Sequence, residues 1–354
     1  MKIYVTNSGG TRLLERFPLI GKIFITLGFN PETFINFGIK IKSKVEYIIF
    51  YFTNDNKHKV INLPCDSQQY LKVNNPRLIE LKDVYSKQLV NKHSVWKNHM
   101  DSYDLTAFRS NMVYLSQRER NINEITYLIT ATYVEAYDKL KLSTCLYEDN
   151  LFGIECFNFV DGVVTSRDLL DSILEINFLE DVLKISKNPD LKILDVGAGY
   201  GRLAYRLVTA MTNVKVYCTD AVPESTFICE YYLKYRNVQN KAITIHFNEI
   251  EKFLSTTHID IAINVHSFSE CTLEFVEWWL SLLKKSKIKY LMIVPHDTKF
   301  TTAEINGTHL SFLNAIESYG YKLMVKQPKY NKSKFVNKYG LFPEIVYYMF
   351  KLDE

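Results

Sequence analysis

The sequence lacks the cysteine patterns that mark metal-binding and disulfide-rich proteins. Six cysteines occur among its 354 residues, and none stands in a C-x-x-C pair or at the spacing of zinc ligands. Two of them fall inside predicted helices or strands. Thiols in such positions are typical of proteins that are kept reduced. We therefore expect buried, reduced cysteines and a cytoplasmic protein.

An apolar run long enough to cross a membrane is also missing. The stretch Phe17–Phe29 is interrupted by Lys22 and is shorter than the roughly 20 residues that a membrane-spanning helix needs. No small-residue cleavage site follows it. We expect no transmembrane segment, while weak contact of the first fifty residues with a membrane surface stays open.

Net charge of either sign is low. Lysine and arginine number 43 and aspartate and glutamate 39, for a formal net charge of +4. Lysines cluster locally at Lys284–Lys289 and Lys326–Lys338, and such runs are usually solvated faces. The charge therefore gives no support to a nucleic-acid partner.

A glycine turn between a strand and a helix is the most informative stretch, KILDVGAGYGR at Lys192–Arg202. Its apolar start predicts a strand that is buried on both faces. Three glycines then let the backbone turn tightly and approach a ligand: Gly197, Gly199 and Gly201. The pattern of Gly201–Met211 predicts a helix behind the turn.

An acid follows the next predicted strand, Val214–Cys218, in the position where a carboxylate accepts hydrogen bonds from ribose hydroxyls. This acid is Asp220. The form D-x-G-x-G-x-G, with Asp195 before the turn, differs from the G-x-G-x-x-G of dinucleotide folds and is typical of S-adenosyl-L-methionine (SAM) methyltransferases. A tight turn without any ligand is the alternative. The predicted cofactor-binding residues of this region are Asp195, Gly197, Ala198, Gly199, Gly201, Asp220, Ala221 and Asn264.

Strands and helices alternate through the second half of the chain. Helices are predicted at Glu224–Tyr235, Ile250–Leu254, Thr272–Lys285 and Leu310–Tyr319, and strands at Ala242–Phe247, Ile259–Val265, Tyr290–Val294, Tyr321–Lys326 and Glu344–Lys351. This alternation predicts an α/β fold, a mostly parallel Rossmann-like sheet of the class I methyltransferase type with an antiparallel edge hairpin. We assign residues 146–354 to the catalytic domain. We expect residues 1–145 to form a mainly helical N-terminal region for cap, substrate or oligomer contacts.

A helix is predicted to precede the first strand of the sheet. Thr165 and Asp168 have capping-box spacing and predict a helix that runs to about Leu183. Ser166 and Arg167 would lie at its exposed N-terminus, where Arg167 could pair with the SAM carboxylate. A cap with a surface salt bridge is an equal alternative. Tyrosines at helical spacing within 101–142 favour core packing over a substrate cap.

Candidate general bases follow two later strands. His266 is the first choice, because imidazole titrates near neutral pH and a strand-end loop exposes it. The others are His296, Asp297 and Glu270. Alternatively His266 is a structural hydrogen-bonding residue, or these four side chains hold a divalent metal. The spacing is not diagnostic of a metal, so we assign no metal ligands.

The loop after the fourth strand of the sheet also bears on the acceptor. Nucleic-acid amino methyltransferases usually carry an Asn/Asp-Pro-Pro-aromatic run there, and cytosine C5 enzymes a Pro-Cys nucleophile. Neither occurs, since Cys271 follows Glu270. A nucleic-acid acceptor is therefore disfavoured.

Several longer tracts resemble the family of sugar O-methyltransferases found in bacterial polysaccharide clusters. They are SRDLLDS with Glu175, LDVGAGYGRLAYRL, DAVPESTFICEYYLKYR, NVHSFSECTLEFVEWWL and YLMIVP. The likeness extends from about Phe108 to the C-terminus. It implies SAM as cofactor, with Asp195, Gly197, Gly199 and Asp220 at the SAM site and His266 in the loop that faces the acceptor.

The resemblance implies methyl transfer to a hydroxyl of a sugar, free, nucleotide-linked or glycan-bound, in polysaccharide or glycan biosynthesis. Two alternatives remain. One is a methyltransferase for a non-sugar metabolite or phosphonate-like group, and the other is a non-catalytic SAM-binding partner in a glycan-assembly complex. A homo-oligomer is compatible with all three.

Overall fold

The computed structural model describes residues 62–87, 104–109, 124–158 and 164–353. Elements predicted within residues 1–61 and much of the tyrosine-rich stretch lie outside the described residues. Within the described part, no helix is long and apolar enough to cross a membrane.

A seven-stranded sheet organises the described chain. Its strands are β3 (Leu191–Val196), β4 (Val214–Thr219), β5 (Ala242–Thr244), β6 (Ile261–Val265), β7 (Tyr290–Val294), β8 (Tyr321–Pro328) and β9 (Val346–Leu352), preceded by a small hairpin of β1 (Phe157–Asn158) and β2 (Val164–Thr165). The order is β5-β4-β3-β6-β7-β9-β8. The first five strands run parallel, and β9 is antiparallel to both neighbours. The predicted Rossmann-like, mostly parallel sheet with an antiparallel edge is confirmed.

The described residues also contain α-helices on either side of the strands in the chain. They are α1 (Ser67–Tyr70), α2 (Pro76–Ser86), α3 (Glu124–Tyr137), α4 (Arg167–Leu183), α5 (Arg202–Ala210), α6 (Pro223–Tyr235), α7 (Ile250–Thr256), α8 (Leu273–Lys285), α9 (Leu313–Ser318) and α10 (Val336–Tyr339). α5, α6, α7 and α8 each join one parallel strand to the next. Every residue of β3 except Lys192 is buried, as expected for the central strand of a sheet that is covered on both faces.

Three predicted boundaries are wrong, each for a local reason. Thr165 pairs with Phe157 in the β1–β2 hairpin, so Ser166 takes the N-cap and its Oγ accepts from the Leu169 amide at 3.1 Å. The strand predicted to reach Phe247 ends at Thr244, because a 3₁₀ turn begins at Phe247.

The helix predicted from Leu310 begins instead at Leu313. The Leu310 carbonyl accepts a hydrogen bond from the Thr302 amide at 2.8 Å. Ser311 also forms a bridge with Thr301. These contacts hold the two residues in extended backbone.

Segments before the sheet pack directly on its helices. Tyr85 of α2 contacts Thr226 of α6, with 3.0 Å between the two hydroxyl oxygens, and its hydroxyl accepts from the Phe247 amide at 2.9 Å. Arg77 makes a two-point ion pair with Glu230, at 3.0 and 2.7 Å. The boundary near residue 145 stays a prediction.

Within α3, two tyrosines pack in the core as predicted. Tyr127 and Tyr133 are buried. All six cysteines are free, as predicted, but only four are buried; Cys65 and Cys145 are exposed.

Candidate active site

A cavity of about 250 Å³ opens where β3, β4, β6 and β7 end. The carboxyl edge of a parallel sheet, beside its central strand, is where α/β folds bind ligands. Ten of the predicted site residues line it: Arg167, Asp195, Gly197, Ala198, Gly199, Asp220, Ala221, His266, Glu270 and His296. Six aromatic or charged residues that were not predicted as site residues line it too: Asp168, Asp171, Tyr200, Arg202, Phe275 and Trp279.

The glycine turn brings backbone against the cavity. Gly197 and Gly199 have φ of +74° and +58°, in the left-handed region that glycine adopts without strain. The Gly197 amide donates to the Thr219 carbonyl at 2.9 Å. A Cβ on Gly197 would lie 2.1 Å from Ser267 Oγ. The turn therefore requires glycine at this position for both conformation and space.

Two buried carboxyl groups flank the turn. Asp220 accepts from the Gly199 amide at 3.0 Å and from the Val222 amide at 2.8 Å, yet burial raises its pKa to about 6. Burial raises the pKa of Asp195 to about 7, although Arg202 acts in the opposite direction. Strongly perturbed acids in a cleft are typical of functional sites.

The Arg167 guanidinium also lines the cavity, and among the described residues no carboxylate lies within hydrogen-bond distance of it. Its nearest carboxylate contacts are 3.6 Å to Asp171 and 3.8 Å to Asp168, beyond hydrogen-bond distance. Its Nε is buried and has no hydrogen-bond partner in the described part of the chain. The Phe342 ring lies 5.6 Å from the guanidinium carbon. This guanidinium is available to an anionic group.

His266 sits at the end of β6 in an unusual backbone conformation. Its φ is +68°, and its amide donates to the Val294 carbonyl at 2.7 Å. Burial, followed by His296 and Arg167, lowers the His266 pKa to about 3. The expectation that this imidazole titrates near neutral pH is therefore wrong, and His266 is neutral at pH 7.

His296 is the more accessible imidazole of the pair. The two rings lie 5.0 Å apart, and His296 Nε2 is 3.6 Å from Glu270 Oε1. Burial lowers the His296 pKa as well, while the side chain stays 48% exposed. A carboxylate beside an imidazole stabilises the cation that forms when the ring takes a proton.

Four predicted site residues lie outside the cavity lining. Asp297 is bound to its own loop, through the Lys299 amide at 2.9 Å and the Thr301 hydroxyl. Asn264 joins two strand ends by donating to the Val196 carbonyl at 3.0 Å. Gly201 caps α5.

Ser166 is the fourth, and it is completely buried. Its Oγ donates to Glu148 Oε2 at 2.6 Å while capping α4. These contacts give Ser166 a structural role instead of the predicted place at the SAM site.

The alternative of a metal site finds no geometric support. Among the described residues, no three His, Cys, Asp or Glu side chains are arranged to hold an ion. His266, His296 and Glu270 approach one another, but Asp297 is turned into its loop.

A buried charge network that the sequence did not predict lies behind the cavity. Arg109 donates to Glu148 at 2.7 Å and to Asp149 at 3.0 Å. Arg206 donates to the other oxygen of Glu148 at 3.0 Å. Asp168 links this network to the cavity, since it lies 3.6 Å from Arg109 Nε and accepts from the hydroxyl of Tyr200, which lines the cavity. No local spacing signals such contacts, because the partners are separated by up to 58 residues.

Comparisons with known proteins found similar solved structures but no similar family or curated protein. No protein-family model matches the chain, and no curated protein does. The chain is similar to a SAM-dependent methyltransferase from Aquifex aeolicus at 18% identity, with 49% of this chain and 89% of that chain covered and a TM-score of 0.36.

Two further solved structures are similar to the chain. One is the magnesium protoporphyrin IX methyltransferase from Synechocystis PCC 6803 with bound SAM, at 12% identity, 67% and 100% coverage and a TM-score of 0.38. The other is an S-adenosylmethionine-dependent methyltransferase from Clostridium acetobutylicum, at 10% identity, 52% and 91% coverage and a TM-score of 0.38. The resemblance to sugar O-methyltransferases stays a prediction.

Proposed function

We propose that the protein is a SAM-dependent O-methyltransferase that acts on a sugar hydroxyl. The observation that carries the proposal is a single cavity in which the glycine turn meets Asp195, Asp220 and Arg167. Each of these features can bind a different part of SAM. A turn without Cβ atoms admits close approach, a carboxylate accepts from ribose hydroxyls, and a guanidinium pairs with a carboxylate.

The residues of the cavity fit SAM because two of them, Asp220 and Arg167, can form further hydrogen bonds. Asp220 uses one backbone donor on each oxygen, which leaves acceptor capacity on both. Arg167 Nε has no partner in the described part of the chain. Phe275 and Trp279 add aromatic surface to the lining, suited to a heteroaromatic ring. SAM, when bound, supplies a sulfonium methyl group that a nucleophile can attack.

His296 with Glu270 is the pair we assign to the acceptor hydroxyl. A hydroxyl needs a base that is unprotonated at working pH and lies near a group that stabilises the resulting cation. His296 meets both conditions, with Glu270 at 3.6 Å. His266 is neutral but, with a pKa of about 3, a weak base. We therefore assign it to hydrogen bonding with the acceptor.

Neutral imidazoles and carboxylates favour a polyhydroxylated, uncharged acceptor surface. Such groups accept and donate hydrogen bonds to vicinal hydroxyls. A phosphonate-like acceptor would need an uncommitted cation. Of the two arginines near His266, Arg202 is paired with Glu175 at 2.9 Å, and we assign Arg167 to the SAM carboxylate. The sugar reading is therefore preferred over this alternative.

Calorimetry with SAM and S-adenosylhomocysteine tests the cofactor site. Wild type should bind both at micromolar concentration, and Asp220→Ala should weaken binding on the order of 10- to 100-fold. Glu251→Ala on the exposed side of α7 is the control and should bind as wild type does. Absence of binding by the wild type would refute the proposal.

A turnover assay on the same samples tests the acceptor. Nucleotide sugars, free sugars and non-sugar hydroxyl compounds are added with SAM, and S-adenosylhomocysteine is measured. Product with a sugar supports the proposal. Product only with a non-sugar compound refutes the sugar acceptor, and binding without any product supports the non-catalytic alternative.

A further inference from the structure

The first two turns of α4 carry two opposite charges that line the cavity. Arg167 and Asp171 are four residues apart on one helix face, and both line the cavity. Their closest charged atoms are 3.6 Å apart, so no hydrogen bond joins them. In a hydrogen-bonded ion pair, the guanidinium nitrogen and the carboxylate oxygen lie about 2.8 Å apart. This pair is held apart and keeps capacity for a third group.

A buried lysine holds the acid of this pair. Lys329 follows β8, its side chain has no exposed surface, and its Nζ lies 2.6 Å from Asp171 Oδ1. The same Nζ donates to the Leu341 carbonyl at 2.9 Å. Burial opposes ionisation of Asp171, but Lys329 and Arg167 outweigh it, and the Asp171 pKa stays below its usual value. The carboxylate is thus charged and anchored by Lys329 through Oδ1. Its Oδ2 lies 3.6 Å from Arg167 Nη1, and both residues line the cavity.

The geometry suits a zwitterion better than a simple anion. An anion alone would meet Arg167 but also the Asp171 carboxylate beside it, at a repulsive cost. A ligand with a carboxylate and an ammonium on one carbon can satisfy both groups. Burying the Lys329 ammonium costs several kcal/mol, which its ion pair with Asp171 offsets only in part. That cost is explained if Asp171 must be held ionised.

We propose that Arg167 and Asp171 form a recognition site for an α-amino-acid zwitterion, in which Arg167 binds the carboxylate, Asp171 binds the ammonium and Lys329 positions Asp171. This inference rests on the proposed function, since the zwitterion is the methionine end of SAM. It adds two residues, Asp171 and Lys329, to the cofactor site.

Ligands that lack parts of the zwitterion separate the two roles. S-adenosylhomocysteine carries both groups, decarboxylated S-adenosylmethionine keeps only the amine, and 5′-methylthioadenosine has neither. Calorimetry is run with each on wild type, Arg167→Met and Asp171→Asn. Asp181→Asn makes the same chemical change further along α4, where the side chain pairs with Lys139, and serves as control.

The expected pattern is specific. Both variants should lose about 10- to 100-fold in affinity for S-adenosylhomocysteine and bind 5′-methylthioadenosine as wild type does. Decarboxylated S-adenosylmethionine should be weakened by Asp171→Asn and unaffected by Arg167→Met. Equal losses for 5′-methylthioadenosine, or no loss for S-adenosylhomocysteine, would overturn the inference while leaving the proposed function in place. Failure of wild type to bind all three ligands would overturn both.

Lys329 is tested by the pH dependence of binding. When the Lys329 ammonium is removed, the Asp171 pKa should rise. As Asp171 becomes protonated, Lys329→Met should bind S-adenosylhomocysteine progressively more weakly from about pH 8 to about pH 6. Wild type should show a flatter profile over that range. Adding Asp171→Asn to Lys329→Met should cause little further loss. A pH-independent loss shared with 5′-methylthioadenosine would make Lys329 merely structural, and if this variant fails to fold, Asp171→Asn still decides the inference.

Discussion

Two carboxyl groups of the cavity are held in a state that costs the ligand-free protein stability. Asp195 has a pKa of about 7 and Asp220 of about 6, both raised by burial. An acid whose pKa is higher in the folded state binds protons there that the unfolded chain does not bind. Stability therefore increases as the pH falls from about 8 toward the unfolded value, opposite to the usual behaviour of an ion-paired acid.

Asp195→Asn should stabilise the ligand-free protein at about pH 8. The charge that burial penalises is removed, so the melting temperature should rise by a few degrees, corresponding to about 1–3 kcal/mol. The gain should shrink toward about pH 5, where wild-type Asp195 is protonated. Thermal unfolding across pH measures this, with Asp190→Asn on the exposed surface as control. A constant difference at all pH values would contradict the prediction.

The histidine pair yields a prediction about rate. His296→Gln should lower kcat on the order of 10²- to 10⁴-fold because it removes a general base. His266→Gln should raise KM more than it lowers kcat, since we assign that ring to acceptor contact. His258→Gln, at an exposed site, is the control. The reverse ranking of the two variants would return the role of base to His266.

At the scale of elements, the glycine turn joins β3 to α5 through one crowded position. Gly197→Ala should abolish cofactor binding, because the Cβ would overlap Ser267 and φ is positive. Gly307→Ala is a matched control, since φ is +78° there and nothing lies within 4 Å. Each variant should lose about 1 kcal/mol of stability from backbone strain. Calorimetry should show loss of binding in Gly197→Ala alone.

Short-range patterns account for the part of this architecture that the sequence predicted. The strand, turn and helix around Gly197 and the acid at Asp220 follow from local spacing, and β7 has the predicted bounds Tyr290–Val294. Errors arose where distant contacts override local signals. Thr165 pairs with Phe157 in a hairpin. Burial, followed by His296 and two arginines, lowers the His266 pKa to about 3.

The same division between local and long-range signals applies to the candidate site. Residues of the turn and of the strand ends were found, because parallel strands end at one edge of the sheet. Lys329 comes to Asp171 from 158 positions away in the chain, and Glu148 reaches Arg206 over 58. Such pairs depend on the tertiary fold and have no signature at short range.

At the scale of the whole molecule, Glu148 ties the segment 104–109 to the catalytic sheet. Burial opposes its ionisation, but Arg109 and Arg206 outweigh it and the Glu148 pKa lies below its usual value. A depressed acid stabilises the fold above its unfolded pKa and loses that contribution as the pH falls through the folded value. The network therefore favours acid unfolding, whereas Asp195 opposes it.

Arg109→Met should destabilise the protein by about 3–5 kcal/mol, because buried Glu148 and Asp149 lose a shared cation. Arg77→Met, which breaks a partly exposed pair with Glu230, should cost below about 1 kcal/mol. Urea unfolding at neutral pH measures both values. Similar losses in the two variants would show that the buried network contributes no more than a surface pair.

The shared use of Glu148 also constrains how this protein can diverge. One carboxylate accepts from two guanidiniums and from the Ser166 hydroxyl that starts α4. A single substitution at any of these four positions leaves a buried charge or donor unmatched. Such a substitution lowers the stability of the fold and should be selected against. Homologous sequences should therefore retain Arg109, Glu148, Ser166 and Arg206 together or replace them as a set, even where their cavities bind different ligands.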